Sequence, residues 1–170
     1  MRILKQLKAS TCGHHLRTYL QGQKKSRKTS KTLMRKINKI ILHCSATPEN
    51  RKVSVATIRK WHLMRKFSDI GYHYIIHLDG KISTGRDISR IGAHCSYQNI
   101  GSIGICYIGG MSKDMKKAKD TRTQAQKDSL IKLMHELIYT YNYDMTIHGH
   151  NEYANKACPS FNVQEEYANL

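Results

Sequence analysis

Runs of apolar residues alternate with polar segments throughout the chain after residue 34. Strand-like runs occur at 37–44, 71–78, 81–84 and 102–108. The Asp79-Gly80 pair between the second and third runs is a tight-turn signal and predicts a hairpin. Helical spacing of apolar residues predicts a first helix over 54–66 and a second after 123. The order β-α-β-β-β-α predicts an α/β domain with a central mixed β-sheet flanked by helices.

The second helix carries the clearest local signal. Thr123-x-x-Gln126 has the pattern of a capping box, in which each side chain bonds the other residue's backbone. Apolar residues then recur along one helical face: Leu130, Leu133, Met134, Leu137, Ile138 and Tyr141. We expect this face to pack on the sheet, and the preceding polar segment 111–122 to be a surface loop.

Basic residues are concentrated at the amino terminus. The formal net charge is +17, yet residues 1–33 carry nine Lys or Arg and the first acidic residue is Glu49. Without that segment 20 basic and 12 acidic residues leave a balance of +8, which suits an anionic polymer as partner. We expect residues 1–34 to be a disordered basic extension and residues 35–170 to be one domain. The extension is either a tail for nucleic acid or anionic lipid, or lies upstream of a true start at Met34.

The composition excludes several classes of protein. No run approaches 18 consecutive apolar residues, so we expect no transmembrane segment. No secretion signal is visible, and we expect the protein to be cytoplasmic until it is released. Five cysteines, an odd number without any Cys-x-x-Cys pair, argue against a disulfide framework and against a four-cysteine zinc site.

Three residues are candidate metal ligands. His43 ends the first predicted strand, and His150 and Cys158 lie eight residues apart near the carboxyl terminus, with Lys156 between them. A catalytic zinc site needs three protein ligands and one open position. An isolated His and Cys at this spacing is weak evidence, and His148 is an alternative to His150.

Four sequence blocks surround these residues in a fixed order. They are His43-Cys-Ser-Ala-Thr, Asp69-Ile-Gly-Tyr72-His73-Tyr-Ile-Ile, Ser102-Ile-Gly-Ile-Cys-Tyr-Ile-Gly-Gly110 and Lys156-Ala-Cys-Pro-Ser160. Together they resemble the type 2 zinc N-acetylmuramoyl-L-alanine amidases, the family that also contains the peptidoglycan recognition proteins. The phage and prophage lysozymes of that family are the most similar branch. The resemblance covers roughly residues 35–170.

The resemblance implies a set of roles at one Zn²⁺ ion. The implied metal ligands are His43, His150 and Cys158; the implied catalytic residues are Tyr72 and Lys156; the implied substrate-binding residue is His94. We also expect His73 to line the same groove, and Asn99, in the loop before the last strand, to bind sugar or peptide. His73 has a second possible role as support for a ligand. Where larger family members carry a glutamate, this chain has Cys106, so the resemblance identifies no carboxylate base.

The remaining expectations concern neighbouring aromatic residues. Alternation along a strand through Gly71-Tyr72-His73-Tyr74 predicts that Tyr72 and Tyr74 share one face. Three further histidines, His62, His77 and His135, are expected to be structural or to lie on the surface.

The implied activity is hydrolysis of the amide between N-acetylmuramic acid and L-alanine in peptidoglycan. A monomeric lysis enzyme of phage or prophage type would fit, with peptidoglycan as partner and a holin-like protein for release. A recycling amidase and a non-catalytic peptidoglycan-binding protein are the alternatives. Binding of nucleic acid is expected only through the basic extension, where it would weaken steeply with salt.

Overall fold

The computed structural model describes residues 35–168 and residue 170, so the predicted extension over residues 1–34 lies outside the described part. The strands are β1 (Lys39–Cys44), β2 (Thr47–Pro48), β3 (Tyr74–Ile76), β4 (Ile82–Thr84), β5 (Ser102–Tyr107), β6 (Gly110–Met111) and β7 (Thr146–Gly149). The helices are α1 (Val55–Met64), α2 (Gln124–Tyr141) and α3 (Val163–Tyr167), with a 3₁₀ turn at His150–Glu152.

The main sheet has the strand order β4-β3-β5-β1-β7. β1 is parallel to both β5 and β7, β3 is parallel to β5, and β4 alone is antiparallel. A mixed sheet flanked by helices is therefore confirmed, as is the hairpin of β3 and β4. Sequence analysis missed β7, whose four residues Thr146-Ile-His-Gly are too few for a periodic signal.

Each face of the sheet carries its own core. Alternate residues of β1 and β5, among them Ile40, Leu42 and Ile105, pack with the buried side of α2 and with α3. The predicted apolar face of α2 is confirmed, and its capping box joins Thr123 and Gln126 as expected. A smaller cluster on the opposite face packs α1 against β3. The polar side chains of the site lie on this second face.

The segment before β3 departs from the predicted strand. β3 begins only at Tyr74, so the alternation does not extend back to Tyr72. Tyr74 packs on the large core beneath α2, whereas Tyr72 packs on the smaller cluster beneath α1. The prediction that the two tyrosines share a face is wrong, because the backbone leaves extended geometry between them.

The polar segment 111–122 is a surface loop over residues 113–119, but its last residue is buried. The guanidinium of Arg122 donates to the carboxylates of Asp120 at 2.7 Å and Glu166 at 2.6 Å, and to the hydroxyl of Tyr167 at 2.9 Å. It also lies 3.3 Å from the centre of the Phe161 ring. Arg122 thereby fastens α3 and the chain before it onto the rest of the domain.

Replacing Arg122 with Met should lower the free energy of unfolding by about 2–3 kcal/mol. The loss stays below the range for fully buried ion pairs because both carboxylates reach water. The matched control is Lys119→Met, which breaks an exposed pair with Glu49 and should cost under about 1 kcal/mol. Urea denaturation of both variants measures the two losses, and equal losses would contradict the assigned role of Arg122.

Candidate active site

Three side chains from distant parts of the sequence meet at the carboxyl ends of β1 and β7. His43 lies near the end of β1, His150 follows β7 directly, and Cys158 lies in the next loop. One ligand atom of each lies within 4.8 Å of the others, and the Cys158 Sγ is 3.7 Å from Nδ1 of His43. Within the described part of the chain, these three residues are the one group of His, Cys, Asp or Glu side chains close enough together to hold a metal ion.

The structure brings His150, and not His148, into this group. Both ring nitrogens of His148 are engaged elsewhere, with Glu152 at 2.7 Å and with Thr146 at 2.9 Å. Glu152 also accepts from the backbone N–H of Gly149 at 2.6 Å, which fixes the turn that begins at His150. The residue two positions earlier thus serves the turn and leaves the site to His150.

Backbone contacts hold Cys158 against the end of β1. The backbone N–H of Cys44 donates to the Cys158 Sγ at 3.3 Å. The hydroxyl of Tyr107 donates to the carbonyl of Pro159 at 2.7 Å, and that of Ser160 donates to the carbonyl of Gly110 at 2.8 Å. Both residues after Cys158 are therefore tied to the sheet, so the thiol has little freedom of position.

A hydrogen-bonded chain extends behind His43. Its Nε2 lies 3.0 Å from Nδ1 of His94, and Nε2 of His94 lies 3.4 Å from the hydroxyl of Ser102. Ser102 donates in turn to the backbone carbonyl of Asn99 at 3.2 Å. A lone pair of Nδ1 directed at a cation beside Cys158 would place the proton of His43 on Nε2, from which it would be donated to His94.

Two glycines make room for the His94 ring. A Cβ placed on Gly104 or on Gly92 would lie 2.5 Å from a carbon of that ring. Gly104 lies on β5 between Ser102 and Cys106, so all three share the face that carries the site. The glycine in the Ser102-Ile-Gly block is thus explained by the close approach of His94.

His73 is buried behind the cleft and is not one of its lining residues. Its side chain is buried, its Nδ1 accepts from the backbone N–H of Gly104 at 2.9 Å, and its Nε2 lies within 3.1 Å of Arg35 and of the Arg90 carbonyl. Its ring packs edge-on against His94, 5.7 Å between centres. Of its two predicted roles, this placement favours support of the site over contact with substrate.

Burial keeps the histidines of the site uncharged. Burial, followed by the neighbouring His94 and His150, holds the pKa of His43 well below its ordinary value. Burial also lowers the pKa of His150, and the nearby Lys156 adds to that effect. The pKa of the Cys158 thiol is raised, first by its contact with Cys44 and then by burial, so a cation binding at this sulfur would release a proton.

A cleft of ≈ 320 Å³ opens beside the three candidate ligands. Its walls include the predicted catalytic residues Tyr72 and Lys156, and the predicted substrate-binding residues His94 and Asn99. The remaining lining residues are His62, Arg65, Phe67, Ala93, Cys95, Ser96 and His150. None of the lining residues is acidic, so the cleft suits an anionic or electron-rich ligand.

Tyr72 is half-buried among aromatic rings at the base of this cleft. Its ring centre lies 5.1 Å from that of His43 and 5.1 Å from that of His62. Burial raises the pKa of Tyr72 well above its usual range, so the phenol keeps its proton and can donate it in a hydrogen bond. Burial also raises the pKa of the Cys106 thiol well above its ordinary value.

His62 was expected to be structural or to lie on the surface; it is structural, but sequence analysis did not predict that it lines the cleft. His62 is buried, and its Nδ1 accepts from the backbone N–H of Gly71 at 2.8 Å, which fixes the residue before Tyr72. Burial lowers the pKa of His62 to about 4, so the ring is neutral. A signal was available, since His62 follows Ile58 by one helical turn and therefore shares its buried face.

The donor set fits a zinc ion. Two imidazole nitrogens and one thiolate are ligands that zinc accepts, and three protein ligands leave a fourth position open. With ordinary Zn–N and Zn–S bond lengths, a tetrahedral site places nitrogen and sulfur about 3.6 Å apart. The distance between Nδ1 of His43 and the Sγ of Cys158 is 3.7 Å.

Comparison with known protein families places the chain. Residues 33–161 match the family model of N-acetylmuramoyl-L-alanine amidase, which is well over half of the sequence. The chain belongs to the N-acetylmuramoyl-L-alanine amidase family. The family resemblance carried by the four sequence blocks is thereby confirmed.

Individual members of this amidase family are similar over most of the chain. The endolysin of Escherichia phage T7 is 41% identical over 125 residues, which are 74% of this chain and 82% of the phage protein. A peptidoglycan-recognition protein of Drosophila melanogaster is 30% identical over 139 residues, 79% of this chain and 74% of that protein. The solved N-acetylmuramoyl-L-alanine amidase LysC from Clostridium intestinale URNW aligns with a TM-score of 0.63 at 28% identity, covering 75% of this chain and 79% of that one.

Adding a methyl group at Gly104 should test the packing behind His43. Gly104→Ala should lower the free energy of unfolding by about 1–3 kcal/mol, because the new Cβ overlaps the His94 ring. In the double variant Gly104→Ala/His94→Ala the overlap is gone, so the two losses should be less than additive. Urea denaturation of the wild type, both single variants and the double variant measures this coupling, and simple additivity would contradict the proposed contact.

Proposed function

We propose that the chain is a zinc-dependent amidase that hydrolyses the bond between N-acetylmuramic acid and L-alanine in peptidoglycan. The observation that carries the proposal is the convergence of His43, His150 and Cys158 beside a cleft, in a chain of the amidase family. Hydrolysis of this amide needs a polarised carbonyl, an activated water and a stabilised oxyanion. The residues of the cleft can meet these needs.

In this proposal His43, His150 and Cys158 hold one zinc ion. When bound, zinc supplies Lewis-acid polarisation of the carbonyl and lowers the pKa of a water. The hydrogen bond from Nε2 of His43 to His94 orients the imidazole, so that Nδ1 presents its lone pair. His94 therefore acts through His43 as well as lining the cleft.

Lys156 and Tyr72 are proposed to act on the reacting group itself. Lys156 is exposed and lines the cleft, so its ammonium can approach the oxygen on which negative charge develops. Tyr72 keeps its proton and offers a hydroxyl donor that the rings of His43 and His62 hold in place. Cys106 also keeps its proton at neutral pH, because burial raises its pKa, so it does not replace a carboxylate base.

Asn99 is proposed to bind substrate through its side-chain N–H group, Nδ2, because its Oδ1 is already engaged. Its Oδ1 accepts from the backbone N–H groups of His94 and Cys95 at 2.8 and 3.0 Å, which shapes the cleft wall. Its Nδ2 has no hydrogen-bond partner within residues 35–168 and can donate to a sugar or peptide carbonyl.

The setting of the reaction is also a proposal. The amidase would act as a monomeric lysis enzyme on the cell wall after release by a holin-like partner, as the similarity to phage proteins named endolysins suggests. No helix in the described part of the chain is long and apolar enough to cross a bilayer. A peptidoglycan-binding protein without hydrolysis is the second candidate, because recognition proteins are among the relatives.

Removing a ligand should abolish both zinc retention and turnover. His150→Ala and Cys158→Ala leave two protein ligands, and we expect zinc content near zero and no release of stem peptide from a defined muramoyl peptide. Zinc content is measured by elemental analysis and the products by mass spectrometry, with and without a chelator. The matched control is His148→Ala, which should keep zinc; zinc loss in that variant alone would overturn the ligand assignment. Intact substrate despite bound zinc would favour the binding protein.

Replacing Lys156 with Ala should separate catalysis from metal binding. We expect zinc content to stay unchanged and kcat to fall by about 10²–10³, the cost of one missing oxyanion-stabilising group. Lys113→Ala removes an equal charge from the exposed loop and should leave kcat within about twofold. If Lys156→Ala turned over at the wild-type rate, lysine would have no part in the mechanism.

A further inference from the structure

Two cysteines meet at the carboxyl end of β1. Cys44 belongs to the large core cluster, whereas the preceding residue His43 points to the site on the other face of the sheet. Cys158 packs against the same cluster as Cys44, and its Sγ lies 3.7 Å from Nδ1 of His43. The Cys158 side chain therefore lies where the two faces meet, with a candidate metal ligand on one side and a second cysteine on the other.

Contacts with the backbone of Cys44 hold the two side chains near each other. The Sγ of Cys158 accepts from the backbone N–H of Cys44 at 3.3 Å and lies 4.0 Å from the carbonyl oxygen of the same residue. The Sγ of Cys44 lies 3.7 Å from the hydroxyl of Ser160, two residues after Cys158. Since one sulfur already contacts the backbone of the other cysteine, a change of side-chain rotamer is enough to bring sulfur to sulfur.

The thiol of Cys44 has no part in the proposed hydrolysis. All four cysteines in the described range are free, so both members of the pair are reduced in this structure. A Cβ placed on Gly110 would overlap the sulfur of Cys44, so that sulfur fills the space that the glycine leaves open. A nucleophilic group is thus held in a fixed place beside a proposed metal ligand.

The two thiols differ in their access to solvent. Cys158 is half-buried at the active-site cleft, whereas Cys44 is only 5% exposed. A small oxidant such as hydrogen peroxide can reach Cys158 from solvent, but Cys44 is shielded by the core. An accessible thiol that is oxidised first, next to a second thiol that reacts with the product, is the arrangement of a redox-active cysteine pair.

We infer that Cys44 and Cys158 form a redox-active pair, in which hydrogen peroxide converts the two thiols into a disulfide. The Cys158 thiolate attacks one oxygen of the peroxide, the O–O bond breaks, and a sulfenic acid and a hydroxide form; the hydroxide takes up a proton and leaves as water. The Cys44 thiol then attacks the sulfenic sulfur, the S–S bond forms and a second water leaves. The two sulfurs together lose two electrons, which reduce the peroxide to the two waters.

Oxidation of this pair removes one of the three proposed ligands from the metal site. His43 and His150 alone are too few protein ligands for a catalytic zinc site. The disulfide is restored to thiols by a thiol reductant, whereas a sulfenic acid without a neighbouring thiol is oxidised further to a sulfinic acid, which such reductants do not restore. Cys44 thereby makes the loss of the metal reversible. This consequence rests on the proposed function, but the formation of the disulfide does not.

Treatment of the zinc-loaded full-length protein with hydrogen peroxide tests the pair. We expect the loss of two of the five thiols, a disulfide between Cys44 and Cys158, and release of zinc in parallel with that link. Dithiothreitol followed by zinc should return both thiols and most of the zinc content. A colorimetric thiol reagent counts the thiols, mass spectrometry of unreduced peptides locates the disulfide, and elemental analysis measures the zinc.

Variants assign the reversibility to Cys44. Cys44→Ser and Cys44→Ala should hold zinc before oxidation but recover little of it after excess peroxide and reduction, because Cys158 has become a sulfinic acid. The matched control is Cys95→Ser, which removes another buried thiol, 3% exposed, and should recover zinc as the wild type does. Cys12→Ser removes the cysteine that lies outside the described residues and should also behave as the wild type.

Three outcomes would overturn the inference. Absence of the Cys44–Cys158 link from the oxidised wild type, or a link from Cys158 to any other cysteine, would exclude the pair. Equal recovery of zinc by the Cys44 variants and the wild type would show that Cys44 does not protect the ligand. If the wild type held no zinc, the proposed function would fail and the peptide map would still decide the pair. A zinc-loaded chain that never forms the link would leave the amidase proposal intact.

Discussion

The parallel pairing of β1 with β7 fixes the positions of the candidate ligands. Leu42 of β1 lies opposite Gly149 of β7, so His43 and His150 leave the sheet side by side from adjacent strands. Their ring centres are only 4.6 Å apart although 107 residues separate them in the sequence. The loop of Cys158 reaches the same point because its neighbours bond to β5 and β6. A shift of one residue in this register would turn the side chains of one strand to the opposite face of the sheet, so His43 and His150 would no longer meet.

The face of the sheet on which the site lies determines which of its side chains are charged. On β5 the residues that share the face are Ser102, Gly104 and Cys106, small side chains that leave space for the rings of His73, His94 and Tyr72. Burial keeps the two histidines neutral and the phenol protonated. Positive charge then remains at the open side, on Lys156 and Arg65, where a substrate would arrive.

The chemistry of the site was more predictable from sequence than its supporting structure. His43 and Cys158 were predicted as ligands because they lie in sequence blocks that are distinctive without any coordinates, and His150 because it lies eight residues before Cys158. The capping box at Thr123 was predictable because its contacts span three residues. The bends and short elements were not: β7 is too short for periodicity, and the turn of the backbone before Tyr74 depends on partners that sequence does not pair. The burial of Arg122 likewise depends on Glu166 and Tyr167, which lie over 40 residues away.

The distance along the chain between the ligands has a consequence for folding. His43 and Cys158 are 115 residues apart, so a cation shared between them would join nearly the two ends of the domain. Such a cross-link would restrict the conformations of the unfolded chain, and removing the cation would remove that restriction. By the entropy estimate for a disulfide across about 100 residues, that restriction is on the order of 4–5 kcal/mol if it persists on unfolding. The same three side chains would then both form the reaction centre and connect β1 to the loop that contains Cys158.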